Sequence, residues 1–384
     1  MEGDGGRWRG AQSGRVPLPR GAEIDPSPSY TFVQLADTQF GMMAATRRVQ
    51  WKRCLVQAVT CGKISLPPRV DCDEADVDPS SEESIAAFEE ALATRCVAAV
   101  NALRPSPAFV AVCGDLVNAF PDDSSESGGE LYAAQVVTFK RIFSALDSRV
   151  PLVCLCGNHD VGERPTRASL SRWRRNFGAD HFAFSVGPDR FLVLNSQLYK
   201  DSSRTQEAAA AQAAWLDLEL LSGCEDGGGG VGASGRSERG SSGGAQRRWT
   251  LAFSHIPPFI SDPDEPDGYF PLPRHTRRPL LEKLARGGVS HWFCGHYHRN
   301  AGGTFTLALD QEGRENDDGG GAALTLEVVT TAAVGGNITN NPGGDPLGLT
   351  GMASITASSS LSGLRVVEVG PAGIAHRFVP LSEL

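Results

Sequence analysis

The feature that most constrains this chain is how its short apolar runs end. "TFVQLAD" stops on Asp37, "AFVAVCGD" on Asp115, "PLVCLCGN" on Asn158, "WTLAFSH" on His255 and "VSHWFCGH" on His296. Each run has the length and apolar content of a buried strand. Each stops on a carboxylate, an amide or an imidazole. In open α/β sheets, ligands bind beyond the carboxyl ends of strands, so separate strand ends can converge on one polar site. In three of the runs a glycine precedes the polar residue (Gly114, Gly157 and Gly295). A residue without a Cβ there permits a sharp turn and a close approach of loops. His296 and His298 lie two apart on an extended segment and so face the same way.

Between the runs lie amphipathic helices. "SSEESIAAFEEALATRCVAAVNAL" opens with Ser80 and Glu83 at capping-box spacing. "GELYAAQVVTFKRIFSALD", "QEAAAAQAAWLDLELL" and "RRPLLEKLARGG" follow the same pattern, the last ending in glycines that suit a helix C-terminus. Strand–helix alternation predicts an α/β domain. The closing strands, "LTLEVVTTAAV", "LRVVEVG" and "IAHRFVPL", have no helix between them, which predicts an antiparallel portion.

With 40% hydrophobic and 21% charged residues in 384, a large core can be buried. We expect one domain over residues 30–384, preceded by a disordered tail over 1–29. Flexible surface insertions are expected at 223–246, 310–321 and 337–362, which are too rich in Gly, Ser, Asn and acids to form a core. A net charge of -9 disfavours nucleic acid or an anionic membrane surface as a partner. A phosphorylated substrate fits if bound cations supply local positive charge. No apolar run approaches the roughly 18–20 residues of a membrane span. The N-terminal arginines Arg7, Arg9, Arg15 and Arg20 are interleaved with Glu2, Asp4, Glu23 and Asp25, unlike a transit peptide, and no signal-peptide core is visible. A cytoplasmic location follows as the expectation. The 9 cysteines, odd in number and partly set in apolar strands, read as reduced packing residues.

A single "GD", "GNHD" or strand-end histidine is ordinarily a turn, a polar loop or a satisfied side chain. His181, His275, His291 and His376 belong to that class. The combination is what points to chemistry, because the other four histidines fall in order with the Asp and Asn groups. The set predicts a metal pair. Asp115 bridges two cations, one also held by Asp37 and His298, the other by Asn158, His255 and His296. Mixed oxygen and nitrogen ligation suits Mn, Mg, Fe or Zn. Two such ions about 3.5–4 Å apart can hold a bridging hydroxide and both ends of an in-line phosphoryl displacement. His159, beside Asn158 but not a ligand, is placed to protonate the leaving oxygen, and Asp160 is placed to orient it.

The order D-x-Q, "GD", "GNHD", "SH", "GHYH" resembles the calcineurin-like metallophosphoesterase superfamily. "NSQLY", "HIPPF", "GHYHRNAGG", "GLRVVEVG" and "HRF" are similar to segments of one of its subgroups, over Thr31 to Leu384 outside the insertions. The resemblance implies a two-sheet β-sandwich flanked by helices, a dinuclear metal centre and phosphoesterase activity. The subgroup implies serine/threonine protein phosphatase activity on phosphorylated proteins or small phosphoesters. A cyclic-nucleotide or other phosphodiesterase is the enzymatic alternative, and a catalytically weak scaffold is the second. Asn118 stands where a purple acid phosphatase would place its tyrosine.

The wider superfamily carries histidine at the position of Gln39, whereas the subgroup carries glutamine. Gln39 either offers a hard oxygen donor or withdraws and lets water bind. Both predict a looser first site biased toward Mn or Mg over Zn. Arg299 and Asn300, in "HYHRN", either reach the phosphate or fix their own loop. The acidic "DPDEPDGYF" either shapes substrate access or is simply solvated.

Overall fold

The first strand is buried on both faces. Phe32 and Gln34 point one way, Val33 and Leu35 the other, and all four are inaccessible to solvent. A strand of this kind must lie between two further layers, and the computed structural model supplies them. It describes residues 29–43, 45, 81–121, 128–225, 248–310, 322–339 and 354–384. The expected tail, apart from its last residue, and most of the expected insertions lie outside the described residues.

The strands are β1 (Tyr30–Leu35), β2 (Val110–Val112), β3 (Leu152–Cys154), β4 (Phe182–Val186), β5 (Asp189–Val193), β6 (Thr250–Phe253), β7 (Val289–Cys294), β8 (Ala301–Leu309), β9 (Ala322–Thr330), β10 (Asn337–Thr339), β11 (Ser354–Thr356), β12 (Gly363–Gly370) and β13 (Gly373–Pro380). The helices are α1 (Glu82–Ala102), α2 (Gly128–Phe143), α3 (Asn158–Val161), α4 (Arg167–Phe177), α5 (Gln197–Lys200), α6 (Gln206–Glu225) and α7 (Arg274–Arg286). One sheet has the order β13-β12-β1-β2-β3 and the other β4-β5-β6-β7-β9-β8. The strands that carry the polar ends pair in parallel, β1 with β2, β2 with β3, and β6 with β7. The outer strands turn antiparallel, as β12 with β13 and β8 with β9, where no helix intervenes.

Between the sheets lies a layer of phenylalanines. Phe32 stacks on Phe109 at 4.8 Å and meets the edges of Phe191, Phe253 and Phe293. Each such ring contributes roughly 1.5–3 kcal/mol by leaving water. Outside the first sheet, Ile85, Phe88, Leu92 and Cys96 of α1 and Phe139 and Phe143 of α2 cover Val33, Leu35, Val110 and Val112. Outside the second, Leu216 and Leu220 of α6 and Leu280, Leu281 and Leu284 of α7 cover Ala252, Trp292 and Val328. The result is the expected two-sheet sandwich flanked by helices.

Local details differ from expectation. Helix α1 is capped by Ser81, whose hydroxyl accepts from Ser84 N at 3.2 Å, one residue later than the Ser80–Glu83 pair suggests. Along this helix Ile85, Leu92 and Cys96 turn into the core while Glu83 stays exposed. The ends of the 337–362 segment pair as the ribbon β10–β11, with Ile338 opposite Ile355. Asn337 ties that ribbon down by donating to the Ser362 hydroxyl at 3.3 Å. Cys96, Cys113, Cys154, Cys156 and Cys294 are buried free thiols. Among the described residues, no helix is long and apolar enough to cross a membrane.

Candidate metal centre

The loops that leave β1, β2 and β7 are folded into conformations that L-residues seldom adopt. Asp37, Gln39, Asp115, His296 and His298 have φ of 53°, 38°, 50°, 68° and 54°. Left-handed backbone at a non-glycine residue costs on the order of 1–3 kcal/mol and persists only where surrounding structure enforces it. Here cross-loop hydrogen bonds do so. Asp37 N donates to Gly114 O at 3.1 Å, Gln39 N to Asp115 O at 2.9 Å, and Gly295 N to His255 O at 3.0 Å. The glycines allow the loops to approach this closely. A Cβ on Gly157 would lie 2.2 Å from Asp115 Oδ1, and one on Gly295 would lie 2.7 Å from Asp37 Oδ2.

Six of the expected side chains meet beneath these loops, and all are buried: Asp37, Asp115, Asn158, His255, His296 and His298. Asp115, His255 and His296 bring ligand atoms within 4.8 Å of one another, as do Asp37, Asp115 and His298. Asp115 belongs to both groups. His255 Nε2 lies 3.3 Å from Asp115 Oδ2 and 3.0 Å from Asn158 Oδ1. His298 Nε2 lies 3.4 Å from Asp37 Oδ1. In both rings Nδ1 is occupied by a carbonyl, Cys113 O at 2.8 Å for His255 and Gly336 O at 2.6 Å for His298. A proton fixed on Nδ1 leaves Nε2 with its lone pair facing the centre.

The charges are strongly coupled. Burial alone would lower the His255 pKa, but the Asp115 and Asp37 carboxylates outweigh it and raise it to about 9. Burial would raise Asp115, and the charges of His255 and His159 overcome this and hold it well below the usual carboxylate range. Asp37 is raised by burial. Burial and the charge of His255 push His296 well down. Without a cation the cluster therefore recruits a proton to balance its carboxylates, a role that metal ions fill in such donor sets. Gln39 adds to the fit. Its Nε2 reaches Asn118 Oδ1 at 3.5 Å, and its Oε1 is buried with no partner among the described residues. Buried amide oxygens are rarely left so, and a cation or its water would satisfy this one. Two buried carboxylates, three imidazoles and two amide oxygens suit divalent ions.

His159 stands half-buried beside this group. Its Nδ1 lies 2.5 Å from Asn118 O, its backbone N–H donates to Asp115 Oδ1 at 2.9 Å, and its ring stacks on Phe120 at 4.3 Å. Asn118 is itself held by Gln135, whose Oε1 accepts from Asn118 N at 3.0 Å and Ala119 N at 2.8 Å.

The contacts of Asp160 differ from the expectation, and those of Arg299 and Asn300 favour one of the two readings open for them. Asp160 does not orient His159. Its buried carboxylate accepts from Gly157 N at 2.8 Å and Leu116 N at 3.1 Å, tying the "GD" loop to the "GNHD" loop, and the Asn118 carbonyl takes the orienting place on His159. Arg299 and Asn300 fix their loop. Arg299 Nε donates to Ile338 O at 2.6 Å, and Asn300 Oδ1 accepts from Arg365 Nη2 at 2.6 Å and Ala332 N at 3.2 Å.

The acidic loop is built rather than merely solvated. Glu265 accepts from Ile260 N and Ser261 N at 2.8 and 3.1 Å. Lys200 Nζ donates to the carbonyls of Gly268, Tyr269 and Pro271 at 3.0, 2.8 and 2.7 Å. This pinning sets the Tyr269 ring 5.2 Å from His296. The Tyr269 hydroxyl donates to Glu163, which also accepts from Asn158. Sequence reasoning passed over Glu163 and Tyr269. The available signals were an acid five positions after Asn158 and the aromatic pair "YF" closing the acidic loop.

A family model described as calcineurin-like phosphoesterase matches residues 30–300. Serine/threonine-protein phosphatase CPPED1 of Mus musculus is 32% identical over 355 residues, covering 92% of this chain and 85% of that protein. Its counterpart in Homo sapiens is 32% identical over 370 residues, covering 96% and 88%. A crystal structure of a dimetal phosphatase from Danio rerio aligns at 15% identity with a TM-score of 0.41, covering 91% of this chain and 98% of that one.

Proposed function

The chain belongs to the calcineurin-like phosphoesterase family, and from that premise we propose that it is a serine/threonine protein phosphatase acting on phosphate monoesters through two divalent cations. The observation that carries this reading is Asp115, whose carboxylate takes part in both groups of convergent ligand atoms. Asp37, His298 and Gln39 would hold one ion with it; Asn158, His255 and His296 would hold the other. When bound, such ions supply positive charge to the phosphoryl oxygens and activate water as the nucleophile. Gln39 in place of an imidazole favours Mn or Mg over Zn or Fe.

The chain's own groups do the rest. The Asn118 carbonyl keeps the His159 proton on Nδ1 and frees Nε2. From Nε2, a protonated His159 gives its proton to the seryl or threonyl oxygen as the P–O bond breaks. Stacking on Phe120 restricts the ring's rotation. Asp160 keeps the two loops in register through Leu116 N and Gly157 N. Phosphorylated protein is the favoured substrate class because the curated relatives are named as protein phosphatases. A net charge of -9 weighs against nucleic acid and an anionic membrane surface as partners, and the buried free thiols fit a reducing, cytoplasmic setting.

The test is metal content with substrate choice. Elemental analysis after dialysis against Mn should find two ions per chain. Hydrolysis of a phosphoserine peptide should exceed that of bis(p-nitrophenyl) phosphate. Preference for the diester would transfer the assignment to a phosphodiesterase, and absence of bound ions would remove the enzymatic reading.

A further inference from the structure

Asn158 is an amide among the buried groups around His255, and an amide has a donor end as well as an acceptor end. Only the oxygen can hold a cation. Something must decide which end faces the centre. In the structure Asn158 Oδ1 faces His255 Nε2 at 3.0 Å, and Nδ2 faces outward to Glu163 Oε1 at 2.9 Å. A carboxylate can only accept, so the amide end that meets it must be the NH2 end. Glu163 is in turn aimed from the other side. The Tyr269 hydroxyl donates to the same oxygen, Glu163 Oε1, at 3.0 Å. Tyr269 is fixed because Lys200 gathers the carbonyls of Gly268, Tyr269 and Pro271. The chain of contacts thus runs from the acidic loop, through Tyr269 and Glu163, to Asn158.

We infer that Glu163 and Tyr269 are positioning residues for the second cation site: Glu163 fixes the amide of Asn158 with its oxygen inward, and Tyr269 aims Glu163 while its hydroxyl also meets the Asn158 amide. The inference rests on the two-cation reading above. It assigns Glu163 a geometric task rather than an electrostatic one, because both donors meet a single acceptor oxygen. A glutamine can offer that oxygen in the same place, whereas an alanine cannot. Glu163 lies at the exposed rim, where water can partly replace it, so the effect belongs at the lower end of the roughly 10–100-fold typical of groups that orient metal ligands.

The experiment is Mn affinity of the full chain by chelator competition, for wild type, Glu163→Gln, Glu163→Ala, Tyr269→Phe and the double variant Glu163→Ala/Tyr269→Phe. Melting of each metal-free protein controls for folding. Expected results are a loss of about tenfold at one of two sites for Glu163→Ala and retention within about twofold for Glu163→Gln. Tyr269→Phe should lose about threefold alone, and the double variant should lose less than the product of the two single losses, the non-additivity of residues that share a partner. An equal loss in Glu163→Gln and Glu163→Ala would make the effect one of charge and overturn the inference. So would an additive double variant, or an unchanged Glu163→Ala in a protein that binds two ions. A wild-type protein that binds no ion would instead defeat the two-cation reading itself.

Discussion

The two nitrogens of His159 face different tasks, and that separation makes its role testable. Nδ1 is taken by the Asn118 carbonyl, while among the described residues Nε2 has no hydrogen-bond partner. Because the side chain lies outside both groups of convergent ligand atoms, His159→Ala should leave Mn binding intact. It should lower turnover of alkyl phosphates on the order of 10²–10⁴, the usual worth of a general acid. For p-nitrophenyl phosphate, whose leaving group departs without a proton, the loss should be much smaller. Equal losses on both substrates would exclude proton delivery. Gln39 sets a different question. Its Oε1 is buried without a partner among the described residues, so Gln39→His offers an imidazole where an amide oxygen now waits. Imidazole suits the later metals, and the ratio of Zn to Mn affinity should rise. If chelator competition finds that ratio unchanged, residue 39 does not touch the metal.

Helix α1 reaches the site through one acid. Glu89 is fully buried and accepts from Gly41 N at 2.6 Å and Met43 N at 2.9 Å, bracing the segment that follows Gln39. Burial raises its pKa from 4.5 to about 8, the two backbone N–H groups offsetting only part of the cost. The folded state therefore binds this proton more tightly than the unfolded chain does. The stabilisation is complete below about pH 4.5 and is lost as pH rises through about 8. Glu89→Gln cannot titrate and leaves one N–H facing an NH2 group, a cost of about 1–3 kcal/mol. Urea midpoints should thus favour wild type most at pH 5 and least at pH 8.5; a constant gap would show that Glu89 does not titrate in this range. Bracing of this kind is hard to foresee. The strand-end residues were legible because each sits in a local pattern, an apolar run followed by Asp, Asn or His. The sandwich was legible from the same alternation. The roles of Asp160, Arg299 and Asn300 were not, because they depend on partners such as Leu116, Ile338 and Arg365, which only tertiary packing brings near. Glu163 and Tyr269 are 106 positions apart, and no periodicity relates them. The Ser80–Glu83 pair was a correct kind of signal one residue early, because the adjacent Ser81 makes the capping bond.

The centre lies where the two sheets meet, and each supplies part of it. Asp37, Asp115 and Asn158 follow β1, β2 and β3 of one sheet; His255, His296 and His298 follow β6 and β7 of the other. Elsewhere the sheets are joined by the phenylalanine layer and by a few polar contacts, such as Gln34 Nε2 donating to Cys294 O at 2.8 Å. Phenylalanine packing is indifferent to solutes, but the centre is not. Two carboxylates held among imidazoles repel one another unless protons or cations intervene, so removing cations should loosen the seam that the sheets share. A ligand that binds only the folded state stabilises it by about 2.7 kcal/mol per site at a hundredfold excess over its Kd. At about 2 °C per kcal/mol for a large domain, two filled sites should raise the melting temperature on the order of 10 °C over chelated protein. The gain should grow with the logarithm of free Mn. Asp115→Asn should abolish most of it, because the one carboxylate common to both groups loses its charge. Melting temperatures read across a Mn series, for wild type and Asp115→Asn, decide the matter. A wild-type melting temperature indifferent to chelator would mean that the seam is closed by packing alone and that Asp115 joins the two groups without binding a cation.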